Sequence, residues 1–337
     1  NPRTQLYRYL KDLPVAWRVC ISGTPIENSL EDLWSLMSLA VPGLLSSHSS
    51  FNEKFRRPIE AGRSPDLLNL LHSLIAPFVL RRTKEEVAPE LPERVETLLP
   101  VPLGRKQRQI YDRYLTRERA RLLHLELEND TRERFEVLAA LTRLRQLSLD
   151  PALVDQRYDS VGSAKIDLLC EHLEQILPLG HKVLVFSQFV AFLERIRHSL
   201  EQRGIASLLL EGKTRNRHAV IDEFQHGDVQ VFLISLKAGG VGLTLTQADY
   251  VYMMDPWWNP SVEAQAVNRA HRIGQDRRVN VYRLVAQDTI EEKVCQLQAH
   301  KQLLVDSVVG QNLGEGRSSA DIQQLLKLIQ EDRDGRV

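Results

Sequence analysis

The strongest constraint on the fold is the texture of the chain after Ser163. Short apolar runs follow one another there: KVLVFS (182–187), SLLL (207–210), VQVFLIS (229–235), DYVYMM (249–254) and RVNVYRLV (278–285). Segments of helical spacing lie between most of them, such as FVAFLERIRHSLEQRG and NRHAVIDEFQHG. Strands that alternate with helices predict an α/β fold, a doubly wound parallel sheet with helices on both faces. In such sheets ligands gather beyond the carboxyl ends of the strands. The loops that follow the strands are therefore the first place to look for function.

The remaining chain reads differently. The first 45 residues hold one apolar run, Trp17 to Ile21, and a sharp turn at SGTPIEN, Ser22 to Asn28. A helix pattern follows, SLEDLWSLMSLAV, with Ser29 as its cap and Pro42-Gly43 as its stop. Scattered Pro and Gly predict irregular chain from there to Pro102, including the segment FVLRRTKEEV. Between Arg105 and Asp150 there is neither Gly nor Pro, and apolar residues such as Ile110, Tyr114, Phe135, Leu138 and Leu141 recur at helical spacing. That predicts two long helices broken near Glu128 to Thr131, read as a solvated hairpin. Beyond Gly310 a Gly-rich break precedes SSADIQQLLKLIQED, read as a terminal brace helix.

Composition narrows the function classes. A length of 337 residues favours two domains over one. Lys plus Arg equals Asp plus Glu at 44 each, so only a local patch could favour nucleic acid. Cys20, Cys170 and Cys295 lie far apart with no C-x-x-C spacing, which argues against a disulfide framework or a zinc ribbon and suits a reducing compartment. No run reaches transmembrane length and no signal peptide pattern is present. The opening at Asn1, in mid-flow, reads as a piece of something longer.

Three stretches carry candidate chemistry, and two others imitate it. In QAVNRAHRIGQ, Gln265, Arg269 and Arg272 are spaced four and then three residues apart, which stacks them on one face of a helix. Two guanidinium forks and an amide aimed at one spot suit a phosphate group. The competing reading is a surface helix whose arginines pair with Glu263 or Asp276. In SLKAGGVGLTLTQADYVYMMDPWWNP, a strand ends in Ser235, and Gly239, Gly240 and Gly242 leave backbone amides open to a ligand. The same stretch ends in Trp257, Trp258 and Asn259, placed to meet a nucleic-acid groove or to pack in the core. The SGTP turn is the third. EGKT (Glu211 to Thr214) imitates a P-loop, but the position five before Gly212 is Ser207 where the motif needs glycine. Asp222-Glu223 imitates a metal-binding pair but lies inside a helix pattern.

The order of these elements resembles the Swi/Snf family of ATPases, within helicase superfamily two, almost end to end. SGTPIENSLEDLW resembles the family's motif III, FVLRRTKEEVAPELP its lobe junction, and LRQLSLDPALV its LRQ…HPAL signature. KVLVFSQF resembles motif IV, EGKTRNRHAVIDEFQ the element after it, SLKAGGVGLTL motif V, and DPWWNPSVEAQAVNRAHRIGQ motif VI with its preceding strand. The resemblance implies RecA-like lobes: the end of the first over 1–45, the junction and a helical protrusion over 46–102, and a helical insertion over 103–162. The second lobe then fills 163–308, and the brace 309–337. It also implies a DNA-dependent ATP hydrolase whose ATP and Mg2+ are held mainly by first-lobe motifs that this chain lacks.

Residue roles follow from the same resemblance. Arg272 and Arg269 would be arginine fingers on the γ-phosphoryl group, with Gln265 holding the phosphate or the attacking water. Gly240, Gly242 and Thr244 would line the nucleotide, and Ser22, Gly23, Thr24 and Asn28 would couple the lobes. Ser187, Gln188, Arg217, Ser235, Lys237 and Trp258 would meet the backbone of double-stranded DNA without sequence preference. A DNA-bound protein complex would be the remodelling target, no membrane is implied, and the expected location is cytoplasmic, or nuclear in a eukaryote. Leu236, Thr244 and Asn268 depart from commoner family residues. Two other readings stand beside this one: a non-catalytic DNA- or protein-binding module, and a strand-separating helicase of the same superfamily.

Overall fold

The computed structural model describes residue 2 and residues 4–26, 29–60, 65–122, 131–239 and 243–309. Asn28, Gly240, Gly242, the break before Thr131 and the expected brace helix lie outside the described residues. The chain divides into two compact units, one built mainly on residues up to Val87 and the other on Ala88–Trp258 and Val262–Cys295. No described helix is long and apolar enough to cross a membrane.

The first unit is helical. It contains α1 (Gln5–Asp12), α2 (Leu30–Ala40), α3 (His48–Phe51), α4 (Arg57–Glu60), α5 (Pro65–Ile75) and α6 (Lys84–Val87). Helix α2 starts where the sequence predicts. The Ser29 hydroxyl accepts the Glu31 amide at 3.2 Å, and Asp32 accepts the Ser29 amide at 3.3 Å, a reciprocal capping box. Leu30, Leu33, Met37, Phe51 and Leu71 form the core of the unit. The run from Trp17 to Ile21 forms no strand, and Trp17, Val19 and Ile21 stand exposed.

The second unit is a six-stranded parallel sheet with strands β1 (Arg94–Val101), β2 (Val183–Ser187), β3 (Ser207–Leu210), β4 (Val231–Ser235), β5 (Tyr250–Met253) and β6 (Val279–Ala286). The strands run side by side in the order β1-β6-β5-β2-β4-β3. Its helices are α7 (Arg105–Leu122), α8 (Thr131–Leu149), α9 (Ala164–Ile176), α10 (Val190–Gln202), α11 (Arg217–His226), α12 (Leu236–Gly239), most of α13 (Pro260–Val267) and the start of α14 (Ile290–Val309). The residues of α14 from Gln296 on group with the first unit, as do Pro260 and Ser261. Because side chains alternate along a strand, β2 feeds two cores at once. Val183 and Val185 pack with Leu169, Leu193 and Leu233, while Leu184 and Phe186 pack with Phe232, Val251 and Val267. Each such side chain contributes roughly 1.5–3 kcal/mol when fully buried, which is why these strands read as unbroken apolar runs.

Two expectations need correction. The stretch before Pro102 is not irregular throughout, because Arg94–Val101 forms β1 and pairs with Val279–Ala286 over its whole length. It is an edge strand that buries one side, so it tolerates Pro100, whose missing amide would break a central ladder. Helices α7 and α8 are not simply a solvated hairpin either. Val137, Leu141, Leu144, Leu147 and Leu149 on α8 are buried, and Leu149 joins the sheet's core. Buried Gln107 of α7 caps the carbonyls of Leu147 and Ser148 at 3.1 and 3.2 Å, satisfying groups that the end of α8 would leave open.

Candidate functional site

The spacing in QAVNRAHRIGQ predicts one helix for Gln265, Arg269 and Arg272, but α13 ends at Val267. Asn259 accepts the Ser261 amide at 3.0 Å and Pro260 takes the first helical position, so the start of α13 is well specified. Beyond Val267 the chain tightens. Arg269 N donates to Ala266 O and Ala270 N to Val267 O, each at 3.1 Å, the three-residue spacing of a closing turn. Gly274, at φ +98°, then turns the chain toward β6. Gln275, which carries no role in the sequence reading, fastens this turn. Its Nε2 donates to Ala248 O at 2.9 Å and Ala270 O at 3.2 Å, and its Oε1 accepts Arg277 N at 2.9 Å. His271 lies 2.8 Å from Pro92 O through Nε2. A carbonyl only accepts, so that nitrogen carries the proton.

Both arginines are drawn to one stretch of chain. Arg269 Nη1 donates to Leu243 O at 3.4 Å, and the Arg269 carbonyl accepts Leu245 N at 2.9 Å. Arg272 Nη1 donates to Thr244 Oγ1 at 3.2 Å. Among the described residues neither forms an ion pair with a carboxylate. Glu263, the expected alternative partner, is held by Arg283 and accepts Trp257 N at 2.6 Å. Burial, and then the like charge of Arg272, push the Arg269 guanidinium below its ordinary pKa. Two cations that converge with no counter-charge suit a multiply charged anion. Gln265 sits half-buried on α13, one turn before Arg269. This turn joins a helix to β6, so it is not one of the strand-end loops in which ligands were expected.

The strand-end loops build a second feature. Ser187 and Ser235 close β2 and β4 as register partners. Ser187 is fully buried; it donates to Asp255 Oδ1 at 2.5 Å and accepts Phe189 N at 3.1 Å. Ser235 accepts Ala238 N at 3.3 Å within the short turn of α12, which presents Lys237 exposed. Both hydroxyls thus serve the fold, and exposed Lys237 with half-buried Gln188 and Trp258 forms the rim, the Gln188 Nε2 lying buried there without a partner among the described residues. Arg217 opens α11 and makes no hydrogen bond or ion pair with these residues.

Behind the rim lies Arg145, whose side chain is 4% exposed. Its Nη1 donates to Gln188 Oε1 at 3.1 Å and its Nη2 to the Pro256 carbonyl, 3.6 Å from Asp255 Oδ2. The guanidinium carbon lies 5.0 Å from the Trp258 ring and 5.7 Å from Phe189, in cation–π range. Burial lowers its pKa, while Asp255, Glu291 and Glu263 oppose that shift. The sequence holds one signal for it. Arg145 continues the i, i+4 stripe of Val137 and Leu141, so a charge stands on an apolar face.

The other candidates stand apart. In the first unit, Ser22 Oγ accepts Thr24 N at 3.0 Å across Gly23, and a Cβ on Gly23 would meet nothing within 4 Å. EGKT closes on itself: Glu211 N donates to Thr214 Oγ1 at 3.0 Å and Thr214 N to Glu211 O at 3.2 Å, so these amides cannot cradle a phosphate. Asp222 and Glu223 are exposed on α11. No group of three or more His, Cys, Asp or Glu placed to hold a metal occurs among the described residues.

Residues 1–153 match the SNF2-related domain, and residues 164–274 match the helicase conserved C-terminal domain. A Mycoplasma pneumoniae protein named "Uncharacterized ATP-dependent helicase" is 33% identical over 333 residues, covering 98% of this chain and 31% of that protein. The Danio rerio chromodomain-helicase-DNA-binding protein 1-like is 34% identical over 344 residues, covering 98% and 33%. The chain therefore spans about a third of the length of these curated relatives. The Sulfolobus solfataricus SWI2/SNF2 ATPase core, solved in complex with dsDNA, is 33% identical with a TM-score of 0.54, over 92% of this chain and 66% of that one. With a RecA-like parallel sheet and these matches along its length, the chain belongs to the SNF2-related family of ATPase cores.

Proposed function

We propose that the chain is the C-terminal part of an ATP-dependent double-stranded DNA translocase that remodels protein–DNA complexes. The observation that carries this reading is the convergence of Arg269 and Arg272 on Leu243–Leu245 with no carboxylate partner among the described residues. In phosphoryl transfer, negative charge spreads over the oxygens of the moving group, and a guanidinium fork matches it in charge and shape. Such a finger is worth roughly 10³ to 10⁵ in rate, or about 4–7 kcal/mol. Arg272, the more exposed of the two, reaches for the γ-phosphoryl oxygens while Arg269 shares their charge and Gln265 orients phosphate or water. ATP supplies the reactive phosphoryl group, and the groups that cradle it and its Mg2+ belong to the other lobe. Closing the lobes assembles the site and hydrolysis reopens it, so alternating grip moves the DNA.

The relatives' names and the dsDNA complex of the Sulfolobus core support this reading over a non-catalytic module, for which the partly desolvated Arg269 would be a cost without a use. Alone, the chain is expected to hydrolyse ATP at a negligible rate. In the full-length protein, Arg272→Ala should lower duplex-stimulated ATP turnover by about 10³-fold or more. Turnover near the wild-type rate would overturn the role given to Arg272.

A further inference from the structure

The order of the sheet places the reversal of winding between β2 and β5. From β2 the chain continues to the β3 edge, and from β5 it continues to β6 on the opposite side. The crevice at the carboxyl ends of two such neighbours is where doubly wound sheets receive ligands. In this protein the crevice is filled by the guanidinium of Arg145, delivered from α8. One prong holds Gln188 behind β2, the other holds the Pro256 carbonyl behind β5, and the face of the group lies under Trp258. Asp255, 1% exposed, balances the charge and anchors the Gln188 amide at 3.3 Å. A planar fork can bond edge-on and stack face-on together, which a lysine ammonium cannot do. A leucine or methionine would fill the space without burying a charge, so stability alone does not account for an arginine here.

We propose that Arg145 is a positioning residue for duplex engagement, holding Gln188 and Trp258 at the rim so that the rim's shape depends on the inserted helix α8. The proposal rests on the reading that Gln188 and Trp258 meet the DNA backbone. It is tested in the full-length protein by ATP turnover against duplex concentration, for Arg145→Lys, Trp258→Ala and the two combined. Arg145→Lys is expected to raise the half-saturating duplex concentration about tenfold, while turnover at saturating duplex stays within about twofold. The double variant should be no worse than the more impaired single one, since both act through the same contact. A merely structural role would instead lower maximal turnover and melting temperature and leave half-saturation in place, which overturns the proposal. Half-saturation raised by Trp258→Ala but not by Arg145→Lys, or penalties that multiply in the double variant, overturns it as well. If Trp258→Ala leaves half-saturation unchanged, the rim reading itself fails, and the proposal with it. Should Arg145→Lys fold poorly, the charge-balanced pair Arg145→Gln with Asp255→Asn carries the same test, with the same outcomes.

Discussion

Lys165 and Glu291 form an ion pair at 2.6 Å with neither side chain exposed. Lys165 Nζ also donates to Met254 O at 2.6 Å and Leu284 O at 2.9 Å, so all its protons are bonded. Glu291 in turn accepts from Ser148 Oγ at 3.1 Å and Ala286 N at 2.9 Å. Satisfied this fully, the pair clasps α9 and α14 to the carboxyl ends of β5 and β6. Removing one partner would strand a charge in a dry site. Lys165→Met is therefore expected to cost about 3–5 kcal/mol, read as a lower urea midpoint. Lys165→Met with Glu291→Gln should recover much of that loss, because the amide oxygen still accepts. A single-variant loss below about 1 kcal/mol would contradict the clasp. Arg269 and Arg272 are the opposite case, since they face no counter-charge within the described fold. That contrast separates a structural cation from one held ready for a ligand. Neither Lys165 nor Gln275 is legible in sequence, because each acts through backbone carbonyls that only the fold brings near.

At the scale of elements, the runs buried on both faces were the most legible, since unbroken apolar stretches leave one interpretation. β1 was not, because its exposure alternates and Pro100 stands within it. The end of α13 was hidden for another reason. A spacing of four and then three residues is met by a helix and also by a helix that tightens into a turn, so periodicity could not place the boundary at Val267. The signal was Gly274, whose φ of +98° other residues rarely adopt. A Cβ there would meet only Thr246 Oγ1 at 4.0 Å, so the cost of a side chain is conformational and not steric. Gly274→Ala should lose about 1–2 kcal/mol. Gly212→Ala, in open space and without positive φ, should change stability by less than about 0.5 kcal/mol. Equal losses in the two by chemical denaturation would show that the arginine turn does not depend on this glycine's conformation.

Across the whole molecule the charges cancel, with 44 basic and 44 acidic residues. Net charge then supplies no attraction to DNA, and a grip comes from where individual cations stand. Of the residues proposed to meet the duplex, Arg217 and Lys237 are cationic and Gln188 and Trp258 are not. Each phosphate neutralised by Lys or Arg releases a counterion and steepens the fall of log affinity with log salt by about 0.9. These slopes add, so a difference between wild type and variant is readable in the full-length protein whatever its other segments contribute. Lys237→Gln should make the slope shallower by about 1, and Arg217→Gln by a similar amount. Trp258→Ala should weaken binding without changing the slope, since it removes stacking and no charge. Fluorescence anisotropy with a labelled duplex, from about 50 to 200 mM salt, separates the two behaviours. A slope untouched by Lys237→Gln would take that residue off the DNA, and one that shifts with Trp258→Ala would mean that losing the ring also moves a cation off the phosphates.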